Sequence, residues 1–93
     1  MTASKYRKKP VVIEAMRFAT EFEGESVIDW IAANGGEVVS SRGHVDGRRS
    51  EFGIKTMEGT MLARPGDWVI RGVQGEFYPC NPDIFEATYE AVE

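Results

Sequence analysis

A single cysteine, Cys80, and a single histidine, His44, stand in a chain of 93 residues. One thiol forms no intrachain disulfide, and one thiol beside one imidazole supplies no four-ligand zinc set. No metal or cofactor is therefore expected. The apolar runs are only a few residues long, far short of the roughly 20 that cross a bilayer as a helix. Met1-Thr2-Ala3-Ser4 leads into charge rather than an apolar run, unlike a secretory signal, so a reducing cytosol is the expected setting.

Basic charge is scarce outside one place. Lys5, Arg7, Lys8 and Lys9 fall in an opening stretch with no acid, and the remaining seven bases face fifteen acids, a balance of −8. Duplex-DNA binders usually present a dominant basic face. This body does not, so nucleic acid is not the expected partner, and four charges at a mobile end are ordinarily solvated. Residues 1–9 are read as a flexible basic tail and residues 10–93 as a single domain.

What is present suffices for a packed interior: 42% hydrophobic and 11% aromatic residues, too apolar for a disordered chain. A domain this small buries only roughly 60–65% of its unfolded surface, so stability is modest and a homodimer would supplement it.

The pattern of apolar residues sets out the elements. Val11 to Phe18 reads as a strand with apolar residues on both faces, hence covered on both sides. A helix follows the acidic approach Glu21, Glu23 and Glu25, with Ser26 as cap, Asp29 in a weak capping box, and Asn34-Gly35-Gly36 as its end. Glu37–Ser40 is a short strand, and residues 41–50 have loop composition. Phe52–Met57 and Thr60–Ala63 form a hairpin joined at Glu58-Gly59. Arg64-Pro65-Gly66-Asp67 has proline and glycine where a type II turn needs them. Trp68–Arg71 and Glu76–Tyr78 pair across Gly72–Gly75. Asn81 caps a short last helix with Pro82 in its first turn, and Phe85 and Tyr89 share that helix's buried side. The fold expected is α+β: a small, mainly antiparallel curled sheet or partial barrel, one helix after the first strand and a short C-terminal helix.

No catalytic set emerges. His44 sits in a glycine-rich segment without a nearby acid in a fixed geometry to orient it and reads as an exposed loop residue. Cys80, near a helix start, is open to a lowered pKa, yet beside Phe77 and Tyr78 it reads better as a small buried apolar residue. Asp67 is read as a turn hydrogen-bonder and Glu76 as an ion-pair partner of Arg71 across the hairpin. Gly72-x-x-Gly75 lacks the Walker lysine and the dinucleotide pattern. Trp68, Phe77 and Tyr78 suit a base-stacking platform, but with few basic neighbours core packing is the better reading. If the chain has a polar binding site, the candidates are Arg64, Asp67, Trp68, Arg71, Glu76 and Tyr78. Pro65, Gly66, Asn81 and Pro82 serve turn and cap.

Two stretches carry a resemblance. Tyr6-Arg7-Lys8-Lys9-Pro10-Val11-Val12-Ile13-Glu14-Ala15 resembles the opening of small proteins encoded by phages and prophages. Residues 65–80, from Pro65-Gly66-Asp67-Trp68 to Phe77-Tyr78-Pro79-Cys80, resemble their second signature, which continues into residues 81–86. The Pro-Gly-Asp turn before an aromatic is also similar to the family named for its PGDYG motif, with Trp68 in place of tyrosine and Val69 in place of glycine. The resemblance implies a phage or prophage origin and a life in the bacterial host cytoplasm, and it transfers no catalytic residue. The expected function is a non-enzymatic accessory protein that binds a host protein. The alternative is a small-ligand or nucleotide-binding module using the Arg64–Cys80 segment.

Overall fold

The structure, a computed structural model, describes residues 2–7, 9–42 and 51–92. The first strand, β1, spans Glu14–Arg17, shorter than the apolar run suggests. Its ladder with β5 (Trp68–Arg71) begins at Glu14↔Arg71, where β5 ends in the Gly72–Gly75 turn. Val11–Ile13 thus have no strand opposite them and lie outside the sheet.

The helix begins earlier than expected. Thr20, not Ser26, is the cap: its Oγ1 accepts from Phe22 N at 3.3 Å, and its N donates to Glu23 Oε1 at 2.7 Å. This capping box starts a 3-10 turn, Glu21–Glu23, that runs straight into α1, Gly24–Ala33. Ser26 is left inside the first turn of α1. At the other end Gly36 N closes onto Ile31 O at 2.9 Å, and Asn34 Nδ2 donates to Trp30 O at 2.8 Å. The expected stop at residues 34–36 is where the helix ends.

Strands β2 (Val38–Arg42), β3 (Glu51–Thr56) and β4 (Gly59–Ala63) follow. The β3–β4 loop is Met57-Glu58, one residue earlier than read, because Gly59 already pairs with Thr56. Thr56 Oγ1 fixes this turn by donating to Gly59 O at 2.6 Å and accepting from Glu58 N at 3.1 Å. His44 and the rest of residues 43–50 lie outside the described residues.

The Arg64–Asp67 turn forms as expected. Gly66 has φ +105, Asp67 N donates to Arg64 O at 2.9 Å, and Arg64 N donates to Asp67 Oδ2 at 3.0 Å. Phe18 N bonds Asp67 O and Gly66 N bonds Phe18 O, so the turn extends the β1–β5 ladder. β6 (Phe77–Cys80) pairs with β5, and α2 (Pro82–Thr88) ends the fold. Asn81 Oδ1 accepts from Asp83 N at 2.8 Å, with Pro82 in the first turn.

The fold is α+β, with a helix after the first strand and a short C-terminal helix. The six strands among the described residues divide into two unclosed antiparallel sheets, β1-β5-β6 and β2-β3-β4, rather than one continuous curl. Between them lies one core: Phe18, Val27, Ile31, Phe52, Ile54, Ala63, Val69 and Phe77 are all buried. Each of the larger side chains contributes about 1.5–3 kcal/mol by leaving water. Phe18 and Phe52 rings meet at 5.2 Å, and Trp30 meets Phe77 edge-on at 5.1 Å.

Side-chain alternation gives β1-β5-β6 a second face. Val69 and Phe77 point into the main core, whereas Trp68, Ile70 and Tyr78 point the other way, beside Ala15. That second face receives α2 and the chain before β1. No helix among the described residues is long and apolar enough to cross a membrane.

Candidate functional site

Trp68 is the anchor of the second face. Phe85 of α2 stacks on its ring at 4.1 Å and 10°, and the Arg17 guanidinium lies 5.5 Å from its centre. Phe85 in turn meets Tyr89 at 5.1 Å, so the four-residue spacing joins two rings as expected. Tyr89 ends α2, with its N–H on Phe85 O. Ile70, on the same face as Trp68, is 1% exposed.

α2 covers only part of the face. Beside it runs an open groove of about 280 Å³, with Ala15 and Trp68 in its lining, Val11 and Val12 from the chain before β1, and Tyr89 and Val92 from the chain after α2. Val12 is 73% exposed and Val92 is 69% exposed. The groove continues past Ile13 into a second hollow of about 450 Å³ that Lys9, Glu76, Tyr78 and Tyr89 help to line. One end is apolar and the other carries a cation, a carboxylate and two phenols.

The candidate residues separate in the structure. Trp68 lines the apolar end, and Tyr78 and Glu76 line the polar end. Arg64 and Asp67 close their own turn, with the Arg64 side chain 3.6 Å from Glu51. Arg71 does not pair with Glu76. Its Nη1 donates to Glu14 Oε1 at 2.9 Å across the β1–β5 ladder, because Phe77 is the residue opposite Arg71. Glu76 folds back on its turn instead: Oε1 accepts from Gln74 N at 3.3 Å, and its carboxylate lies over Gly72, in space any side chain there would need. Asp67 and Glu76 sit at opposite ends of the β5–β6 ladder and form no carboxylate pair. Trp68, Phe77 and Tyr78 form no stacking platform either, since Phe77 faces the main core. Pro65, Gly66, Asn81 and Pro82 hold the turn and cap positions assigned to them.

Electrostatics follow from this packing. Burial, then the hydrogen bond with Tyr89, pushes the Tyr78 phenol up to about 12. Cys80 is half-buried rather than buried, and its Sγ lies 3.6 Å from Asn81 O. Burial, with the Asp67 charge added, raises its pKa, the direction opposite to that of a reactive thiolate. Among the described residues no cluster of three metal-ligating side chains occurs.

Sequence reasoning missed the groove's walls. The apolar pattern points to Val11, Val12 and Ile13 as part of β1, and it gives residues 90–92 no role. The one available signal was the doubly apolar pattern of residues 11–18, which predicts cover on the outer face. That cover turns out to be partial. No protein-family model matches this chain, and no curated protein or solved structure shows significant similarity to it.

Proposed function

We propose that this is a phage- or prophage-encoded accessory protein that acts in the bacterial host cytoplasm, without chemistry of its own, by seating an apolar segment of a host protein in the groove beside α2. The observation that carries this reading is the groove itself: an open trough with exposed valines at its rim and a fixed tryptophan in its lining. Exposed apolar surface of this kind marks binding sites, and buried aromatic anchors supply most of the energy at such interfaces. The two stretches with phage-like character supply much of it. Residues 6–15 contribute Val11, Val12, Ile13 and Ala15, and residues 65–80 contribute Trp68.

The small-ligand alternative asks for polar groups that converge in an enclosed pocket. Arg64, Asp67 and Arg71 are instead committed to a turn and to ion pairs outside the groove. The test is affinity capture from bacterial lysate with the wild-type protein and with Val12→Asp and Val92→Asp. Both positions are exposed, so the fold should tolerate the change. A host protein retained by the wild type and lost from both variants is the expected result. Capture indifferent to the two substitutions, or retention of small molecules alone, would count against the proposal.

A further inference from the structure

Four of the described strands lie at sheet margins: β1 and β6 in one sheet, β2 and β4 in the other. A marginal strand exposes unpaired N–H and C=O groups, and proteins guard such strands with charge, proline or bulges. Three of the four are guarded. β1 carries Glu14 and Arg17, β6 contains Pro79, and β2 slips register against β3 between Val38 and Ser41. β4, Gly59-Thr60-Met61-Leu62-Ala63, has neither charge nor proline, and its five pairs with β3 run without interruption. Met61 is 42% exposed and Leu62 46%, and Met57 in the preceding turn is 97% exposed.

The direction of its backbone groups follows from β3. Lys55 N donates to Glu37 O at 3.0 Å, on the β2 side of β3. Thr60, opposite Lys55 on the other side, therefore sits in a non-hydrogen-bonded pair, with its own N–H and C=O turned away from β3. The alternation repeats at Leu62. Among the described strands none pairs with this outer margin.

We propose that β4 pairs antiparallel with β4 of a second copy of this chain, about a two-fold axis at Met61, joining two β2-β3-β4 sheets into one of six strands. In this register Met61 faces Met61, Thr60 and Leu62 exchange hydrogen bonds in both directions, and Gly59 faces Ala63. The flanking charges select it. Glu58 of each copy falls opposite Arg64 of the other, so two complementary pairs close the ends of the ladder. The Arg64 side chain is 67% exposed beside Glu51, at the rim where the second Glu58 arrives. A shift of two residues either way keeps the backbone parity but loses both charge pairs and shortens the overlap. This interface uses the other sheet from the groove, so each proposal can fail alone.

The test is the mass of the protein in solution, by sedimentation or light scattering, up to about 100 μM, well above the dissociation constants of specific interfaces. A dimer is expected. Glu58→Arg sets like charges opposite each other at both ends and should weaken association about tenfold or more. Glu58→Arg combined with Arg64→Glu should restore it. In a Cys80→Ser background, Met61→Cys should cross-link to itself under oxidation and Leu62→Cys should not, because only residue 61 meets its own copy. Circular dichroism of each variant checks that the fold persists. A monomer at about 100 μM, association indifferent to Glu58→Arg, or equal cross-linking at 61 and 62 would overturn the proposal.

Discussion

Open space surrounds the position where a Cβ on Gly66 would stand, so the demand for glycine there is purely conformational. At φ +105 an L side chain is strained whatever the room around it. Gly66→Ala should therefore destabilise the fold by about 1 kcal/mol or more, read as a lower urea midpoint with unchanged slope. An unaltered midpoint would contradict this. Tyr78 gives the pH counterpart. Its folded pKa, about 12, lies above the ordinary value of 10.0. The unfolded chain thus releases this proton first as pH rises. Stability from this group is complete below pH 10 and drains away between 10 and about 12. Tyr78→Phe should flatten that alkaline decline in thermal unfolding. A slope identical to the wild type's would show that other groups set it.

At the level of elements, local chemistry was legible and long-range pairing was not. Asn81-Pro82 and the Pro65-Gly66 turn declared themselves because cap and turn act within three residues. The start of α1 did not. Thr20 and Glu23 make a capping box one 3-10 turn ahead of the helix, and the acidic run Glu21–Glu25 hid which carboxylate reaches back. Thr20→Ala should cost ~1 kcal/mol, and serine at position 20 should recover most of it, as thermal unfolding would show. If alanine is neutral there, the 3-10 turn is not what starts the helix. The division into two sheets depends on β1 choosing β5 as partner, a contact bridged by Arg71 and Glu14 57 residues apart. No spacing within either strand encodes that choice. The groove was illegible for a related reason: its walls are irregular segments whose positions follow from where two strands happen to end.

Over the whole molecule, charge is divided between a basic opening and an acidic body, with net charge −4. Were duplex DNA the target, Lys5, Arg7, Lys8 and Lys9 would be its main electrostatic handle, and binding would fall steeply with salt. The acidic body opposes this, so no duplex binding tighter than about 10 μM is expected at physiological salt. Anisotropy titration of labelled DNA checks it, and submicromolar binding lost on neutralising those four residues would displace the host-protein proposal.

The two tryptophans divide between the two packed layers. Trp30 sits edge-on to Phe77 in the main core, and Trp68 lies flat against Phe85 beside the groove. The chain is thereby wired with one optical probe for each layer. With Trp30 replaced by phenylalanine, emission would come from Trp68 alone and would report the lifting of α2 or the arrival of a guest. With Trp68 replaced, the remaining signal would track only collapse of the interior. Detachment of the last helix and loss of the fold become separately readable events, without any label attached to the protein.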